Sequence, residues 1–379
     1  MPCYVVGMAK ARVGDGELAY DESGGGPAVV LVHAALGDRR MWDHQMQALA
    51  AEHRVVRYDW RGVGESDSPV GPVAHHEDLI GLIDALGIDK AVLMGASMGG
   101  SFARDAALAA PDRVAGLVLV CSGLSGHEWP AEMIDHSRAV ITAAVPVEQL
   151  RADGSRTAGE VQDEDVAAMA QAQAALMVAG PRRRAEDITP EVWNLATTML
   201  RDVYDREWRE PAVMELQLDP PAVGRLAEIQ APTLVVNGLE DLPWIQDLAE
   251  VLTAEIAGAR RVDLAETAHL PSVERPVELN AAVATFLAEP PTPWSPSLNG
   301  SGTQSRPGEP PPPEGGRLPD TVGPGPSRPP APKSAVRPRH LPLKVTHRAA
   351  HQPRSLHDSS ALTTERRAAL TAHRGPGDT

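Results

Sequence analysis

MGASMGG, residues 94–100, carries a single hydroxyl group, that of Ser97, among glycines and other small residues. The apolar run AVLMG (91–95) before the serine predicts a strand, and SMGGSFARDAALAA (97–110) after it predicts a helix. A strand-to-helix turn this short holds the residue at its apex in a strained conformation, with the side chain pointing outward. We therefore predict that Ser97 projects from a sharp bend and does not lie in an ordinary glycine-rich turn.

The glycines around the serine have a steric explanation. Gly95 and Gly99 stand where the strand and helix backbones crowd, so that a Cβ atom would clash, and Gly100 relieves the next contact. The bend also places Ser97 at the N-terminal end of a helix, where free backbone N–H groups and the helix dipole favour developing negative charge. A G-x-S-x-G pattern between a strand and a helix is typical of a serine nucleophile.

Short apolar runs bounded by turn residues recur through the first 289 residues. Besides the run at 91–95 they lie at 28–34, 54–59, 115–122, 231–238 and 260–266. The runs are continuous and do not alternate with polar residues, as expected of strands buried on both faces. Helix-length stretches such as HEDLIGLIDALG (76–87) separate them. This order predicts an α/β fold with a mostly parallel central sheet and helices on both faces.

Two segments do not follow this alternation of strands and helices. ARVGDGELAYDESGGG (11–26) contains a Gly-Asp-Gly turn and predicts an N-terminal antiparallel hairpin. Residues 125–225 show several helical patterns and no convincing strand, which predicts a helical cap inserted into the sheet. The predicted domains are the first part of the core at 1–124, the helical cap at 125–225, the second part of the core at 226–289 and a tail at 290–379.

Composition changes abruptly near Pro290. Residues 290–379 are rich in Pro, Arg, Gly and Ser, hold 12 Lys/Arg against 6 Asp/Glu, and have Trp294 as their single aromatic residue. Such a segment buries too little apolar surface to offset its ordering entropy, so we predict a disordered tail. Two interpretations stay open. The PPPP run docks a protein partner as a polyproline helix, or the tail is an extension without a specific partner.

Bulk properties restrict the classes of partner. The formal net charge of −16 argues against nucleic acid or a membrane surface as a partner of the whole chain. No apolar stretch approaches the roughly 20 residues of a membrane helix, and the N-terminus lacks a signal-peptide pattern. Cys3 and Cys121 are far apart, without metal-ligand spacing, which predicts a reducing compartment, the cytoplasm by default, and no metal site.

A serine hydroxyl at neutral pH needs a base to accept its proton, and in this architecture the chain order is serine, acid, histidine. LVVNGLEDLP supplies Glu240 and Asp241 just beyond one predicted strand, and RRVDLAETAHLP supplies His269 just beyond the last. The carboxyl ends of parallel strands meet at the same edge of a sheet. We therefore predict that Ser97, an acid and His269 converge there.

With these stretches the chain resembles the α/β-hydrolase superfamily over roughly residues 8–289. The resemblance rests on VLVHAALGDRRMWDHQ, YDWRGVGESD, MGASMGG, NGLEDLP and TAHLPSVERPVELNAAVATFL. Within the superfamily, these motifs most resemble those of the branch of 3-oxoadipate enol-lactonases, carboxylesterases and related carbon–carbon bond hydrolases. The G-x-x-D pattern of that family matches Gly238 to Asp241, which implies Asp241 as the acid in preference to Glu240. The family carries its cap where this chain has its helical stretch.

Acyl transfer also requires amide donors for the oxyanion. The resemblance implies the backbone N–H of Met98, directly after the nucleophile, and that of Ala35, in the loop after 28–34. Family members usually read His-Gly in that loop, whereas this chain reads His33-Ala34-Ala35. We expect His33 to brace the loop by hydrogen bonding and not to act as a second base.

The resemblance implies a cofactor-independent serine hydrolase that forms an acyl-enzyme with a small carboxylic ester, lactone or similar carbonyl substrate. Carbon–carbon bond hydrolysis and perhydrolysis use the same three residues and stay open, as does a receptor of this fold with slow turnover. Haloalkane dehalogenases and epoxide hydrolases of the same fold use Asp as the nucleophile, so Ser97 disfavours both.

Three further groups receive structural interpretations. We predict that Arg61 ties its loop to nearby carbonyls or to Asp59. His75 and His76 lack the spacing of metal ligands and are predicted to be solvated. The basic run at 182–184 is predicted to be a solvated turn, the alternative being recognition of a substrate carboxylate.

Overall fold

The structure, a computed structural model, describes residues 6–153, 160–211 and 213–288, and the predicted tail at 290–379 lies outside this range. Eight strands form one sheet: β1 (Val6–Val13), β2 (Gly16–Ser23), β3 (Ala28–Val32), β4 (Arg54–Tyr58), β5 (Ala91–Ala96), β6 (Val114–Val120), β7 (Thr233–Gly238) and β8 (Arg260–Leu264). The described α-helices are α1 (Asp43–Leu49), α2 (His75–Ala85), α3 (Met98–Ala109), α4 (Ala131–Ala144), α5 (Val147–Asp153), α6 (Asp163–Ala174), α7 (Pro190–Arg209), α8 (Pro243–Glu255), α9 (Pro271–Glu274) and α10 (Pro276–Ala288). None of them is long and apolar enough to cross a bilayer.

The strand order in the sheet is β1-β2-β4-β3-β5-β6-β7-β8. β1 and β2 form the predicted hairpin, and β2 also runs antiparallel to β4. Every other neighbouring pair is parallel. The six apolar runs predicted as strands correspond to β3–β8. The α/β fold with a mostly parallel sheet and an N-terminal hairpin is therefore confirmed.

The sheet is covered on both faces because its central strands are apolar at every position. All five residues of β3 are buried, and successive side chains enter two separate cores. Val29 and Leu31 pack in the core that contains side chains of α1 and α10. Val30 and Val32 pack in the core that contains side chains of α2, α3 and α8. Helices thus lie on both faces, as a parallel sheet requires.

A long helical insertion separates β6 from β7. It contains α4–α7 and, directly after α6, a π-helical segment (Ala175–Ala179), and its described residues form no strand. Buried side chains of the insertion, among them Met169, Met199 and Leu200, join the core that also holds Val29 and Leu31. The insertion is therefore packed onto the body of the molecule. The domain limits at 125 and 225 stay a prediction.

Arg61 contacts a carbonyl oxygen, as predicted, but its carboxylate partners are not Asp59. Its guanidinium bonds to Asp78 at 2.7 Å, to Asp15 at 2.7 Å and to the Val13 carbonyl oxygen, not to Asp59. Asp59 is occupied by other donors, including the backbone N–H of Arg39 at 2.9 Å. Arg61 thus ties the turn of the β1–β2 hairpin to α2, a pairing between elements that local sequence does not reveal.

The prediction that His75 and His76 are solvated is wrong. Both are buried at the start of α2, and the His75 ring lies 4.8 Å from that of Phe102 and 5.3 Å from that of Trp60. Burial lowers the pKa of His75 to about 3, so the ring is neutral and packs as an aromatic group.

Candidate active site

Ser97 is the single residue between β5 and α3. Its backbone has φ 52° and ψ −119°, a left-handed φ that residues other than glycine rarely adopt. The Ser97 N–H donates to the Val120 carbonyl oxygen at 2.9 Å, and the Ser97 carbonyl oxygen accepts from the Gly123 N–H at 2.9 Å. The bend is therefore held by the end of β6 and the residues that follow it.

The glycines flanking Ser97 allow close approaches between backbones. A Cβ at Gly95 would overlap the carbonyl oxygen of Gly99, and a Cβ at Gly99 would overlap the carbonyl oxygens of Val32 and His33. The first turn of α3 thus sits directly against the end of β3 as well as against β5. This packing brings the start of α3 beside the loop that follows β3.

Asp241 and His269 meet at the carboxyl edge of the sheet. Asp241 follows β7, His269 follows β8, and both side chains are buried. His269 Nδ1 lies 2.7 Å from Asp241 Oδ2, and Asp241 Oδ1 accepts from the Leu242 N–H at 2.7 Å. Glu240 points elsewhere and pairs with Arg182 at 2.8 Å. Of the two candidate acids, Asp241 is the one in contact with the imidazole.

The second imidazole nitrogen is left without a partner. His269 Nε2 is buried and makes no hydrogen bond within the described part of the chain. When the Nδ1–H donates a hydrogen bond to Asp241 Oδ2, the neutral imidazole carries its lone pair on Nε2. β6 lies between β5 and β7, so the Ser97 bend and the Asp241–His269 pair stand at the same edge of the sheet.

Two backbone amides near the bend are without acceptors. Neither the Ala35 N–H nor the Met98 N–H donates a hydrogen bond to any residue that the structure describes. Positive φ outside glycine occurs, in the described ranges, at Ser97, Cys121 and Glu266, so neither Ala34 nor Ala35 has a left-handed backbone.

His33 braces the loop after β3. Its Nδ1 lies 2.8 Å from the Ala34 carbonyl oxygen, and its Nε2 accepts from the Trp60 N–H at 3.2 Å. Both nitrogens are therefore occupied, and burial lowers the pKa of the ring. A neutral, doubly bonded His33 holds the Ala35 loop in place and has no free nitrogen for proton transfer.

Cys121 lies beside the Asp241–His269 pair. Ligand atoms of these three side chains are all within 4.8 Å of one another, an arrangement that resembles a metal site. A thiolate is the form that binds metals, and burial raises the pKa of the Cys121 thiol well above its usual range. The chemistry of the three groups therefore favours a hydrogen-bonded cluster with a neutral thiol.

The prediction of a solvated turn at 182–184 is wrong for Arg183. Arg183, predicted to be solvated, has a side chain only 16% exposed and pairs with the buried Glu274 at 2.8 Å. Arg182 also pairs with the protein, through Glu240, whereas Arg184 is largely exposed. The partners lie 58 and 91 positions away along the chain, so no local pattern could identify them.

Comparison with known proteins agrees with this fold. The family model of the α/β-hydrolase fold matches residues 27–143. RutD of Azorhizobium caulinodans, assigned as a carbamate hydrolase, is 27% identical over 74% of this chain and 99% of its own length. The enol-lactonase of Burkholderia xenovorans LB400 superposes with a TM-score of 0.57 at 25% identity, covering 74% of this chain and all of the lactonase. A thermophilic esterase of Thermogutta terrifontis superposes with a TM-score of 0.57 at 26% identity, over 74% of this chain and 97% of the esterase.

Fold, bend and relatives together define the class of protein: the chain has the α/β-hydrolase fold, is similar to members of that superfamily and is a hydrolase-type enzyme. The structural relatives at 25% identity or above include a lactonase and an esterase.

Proposed function

We propose that the chain is a serine hydrolase that cleaves a small carboxylic ester, lactone or similar carbonyl substrate through an acyl-enzyme. The observation that carries this proposal is the buried Asp241–His269 pair, whose free Nε2 stands at the same sheet edge as the strained Ser97 bend. The lactonase and the esterase among the structural relatives support this substrate class.

In the proposed reaction His269 Nε2 accepts the proton of Ser97 Oγ while the oxygen attacks the carbonyl carbon. Asp241 holds the imidazole in the required tautomer and stabilises its protonated form. The amide N–H groups of Met98 and Ala35 donate to the oxyanion, which their lack of other acceptors supports. His269 then passes the proton to the departing alcohol oxygen. A water molecule, deprotonated by His269, then attacks the acyl carbon, and the acid leaves as Ser97 Oγ takes the proton back from His269.

We further propose that the helical insertion acts as the cap of the substrate pocket. Two contacts support this role. A Cβ at Gly37, in the loop after β3, would lie 3.1 Å from the sulfur of Met199 on α7, and the Met177 carbonyl oxygen accepts from the His269 N–H at 3.2 Å. The insertion therefore reaches both the proposed oxyanion loop and the proposed base.

Fluorophosphonate labelling tests the central step. The full chain is expected to form a covalent adduct on Ser97 and to hydrolyse p-nitrophenyl acetate and butyrate. Ser97→Ala is expected to lose the adduct and to lower kcat by a factor of about 10³ or more, because the nucleophile is gone. Ser101→Ala, on the same helix, is the matched control and is expected to label normally.

Absence of an adduct in folded protein, or unchanged turnover in Ser97→Ala, would contradict the proposal. Tight binding of an ester or lactone with negligible turnover would instead indicate a receptor of this fold.

A further inference from the structure

The turn at residues 180–184, which follows the π-helical segment, lies against the loops that carry Asp241 and His269. Gly180 has φ 73°, and a Cβ there would overlap the Glu240 carbonyl oxygen. Arg182 donates to Glu240 Oε2 at 2.8 Å and to the Leu239 carbonyl oxygen. One side of the turn is thus fastened to the loop after β7.

Arg183 fastens the other side of the turn. Its Nε donates to the Ala179 carbonyl oxygen at 3.0 Å, and its Nη2 donates to the Val178 carbonyl oxygen at 2.7 Å. The same guanidinium donates to the Glu266 carbonyl oxygen at 3.1 Å and to Glu274 Oε2 at 2.8 Å. A single side chain therefore joins the end of the π-helical segment to the loop that precedes His269.

Glu274 links Arg183 to Ala268, the residue directly before His269. Its Oε1 accepts from the Ala268 N–H at 3.0 Å and from Thr267 Oγ1 at 3.0 Å, while Oε2 accepts from Arg183. The carboxylate is only 4% exposed. Burial raises the pKa of Glu274, and the Arg183 guanidinium opposes that rise. Arg183 therefore favours the charged carboxylate that accepts all three hydrogen bonds.

We propose that Arg183 is a positioning residue for His269, which acts through Glu274 and the π-helical segment to hold the imidazole in its reactive orientation. This inference rests on the proposed serine hydrolase function. Charge-assisted hydrogen bonds to a fixed, planar guanidinium restrict the loop more tightly than a neutral side chain does. Since a shift of about 1 Å at a reacting group can lower a rate about 10²-fold, such restraint has a kinetic consequence.

A set of three variants separates positioning from general stability. Arg183→Gln is expected to lower kcat for p-nitrophenyl butyrate about tenfold or more, with KM changed less than about twofold. Arg183→Lys keeps the charge opposite Glu274 but not the forked contacts, and should recover part of the loss. Arg184→Gln, at the neighbouring exposed position, is the matched control and should behave as the unmodified chain.

The second readout does not depend on activity. The Nδ1 proton shared by His269 and Asp241 is expected to give a low-field proton resonance in the full chain, assigned by its loss in Asp241→Asn. Arg183→Gln should shift or broaden this resonance, and Arg184→Gln should leave it unchanged.

An Arg183→Gln protein with a lower melting temperature but unaltered kcat and an unaltered resonance would show a purely structural tie and overturn the inference. Retention of esterase activity in Ser97→Ala would instead overturn the proposed function, and the resonance would still decide whether Arg183 positions the imidazole.

Discussion

Asp241 and Glu240 are neighbours in the sequence, yet their carboxylates have opposite surroundings. Asp241 is fully buried and hydrogen-bonded to His269, whereas Glu240 turns towards the guanidinium of Arg182. The turn after β7, closed by a hydrogen bond from the Asp241 N–H to the Gly238 carbonyl oxygen at 3.2 Å, sets these directions. The backbone turn therefore decides which of the two adjacent carboxylates contacts the imidazole.

We expect Asp241→Asn to lower kcat by about 10³–10⁴, because an amide no longer holds the imidazole in the tautomer with a free Nε2. Glu240→Gln is the matched control and should leave kcat within about twofold of the unmodified enzyme, since it disturbs an ion pair at the surface. Steady-state hydrolysis of p-nitrophenyl butyrate measures both. A larger loss in Glu240→Gln than in Asp241→Asn would reverse the assignment of the acid.

At the scale of elements, Arg61 joins the β1–β2 hairpin to α2. Its side chain is 5% exposed, and its partner Asp78 is 12% exposed. Burial raises the pKa of Asp78, and Arg61 opposes that rise. Removal of the guanidinium would leave a carboxylate largely buried without its counter-charge.

Arg61→Ala is therefore expected to lower the free energy of unfolding by about 3 kcal/mol, as is typical when one partner of a buried ion pair is removed. Arg12→Ala, at an exposed position of β1, should change it by less than about 0.5 kcal/mol. Urea denaturation measures both, with kcat per folded molecule unchanged. Equal free energies of unfolding for the two variants would mean that the Arg61 contacts do not stabilise the fold.

The segment that leads from the helical insertion back to the core carries Glu215, whose carboxyl group has a raised pKa. Leu216 N–H donates to the Val73 carbonyl oxygen at 2.7 Å, which holds the neighbouring Glu215 near the core. Burial, and then repulsion by Asp105 of α3, raises the pKa of Glu215 from 4.5 to about 7. The folded chain thus binds a proton more tightly than the unfolded chain does. Glu215 contributes stability that is fully present below about pH 4.5 and is lost as the pH rises to about 7.

Glu215→Gln should therefore raise the melting temperature at pH 8 by about 1–3 °C, and the difference from the unmodified chain should vanish near pH 4.5. Glu52→Gln, at an exposed position, is the control and should show no such pH-dependent difference. Thermal scans across this pH range make the comparison. A Glu215→Gln protein less stable at pH 8 than the unmodified chain would contradict the sign of the effect.

At the scale of the whole molecule, the described residues hold the sheet, both helical layers and the insertion. The relatives align over about three quarters of the chain and nearly all of their own lengths. The Pro-rich segment from Pro290 lies outside the described residues, and its docking role stays a prediction from composition.

A chain ending at Glu289 is expected to keep kcat, KM and melting temperature within experimental error of the full chain, because no proposed site residue lies beyond it. Parallel kinetics and thermal scans of the two proteins provide the test. A loss of more than about tenfold in kcat/KM on truncation would assign the tail a part in catalysis.

Local sequence was sufficient for the strands, for the limits of α2 and α3 to within two residues and for the bend at Ser97. Continuous apolar runs identify strands buried on both faces, and crowded backbones leave room only for glycine on either side of the serine. The position of the loops that carry Ser97, Asp241 and His269 at one edge of the sheet was likewise predictable, because parallel strands place their following loops at the same edge.

Contacts between distant segments were decided only by the tertiary structure. The partners of Arg61 and Arg183, the burial of His75 and the choice between two adjacent carboxylates depend on which loops pack together in space. The sequence does not distinguish a charged side chain that is exposed to water from one that pairs with a buried carboxylate. Only packing determines the desolvation and the counter-charge that fix its role.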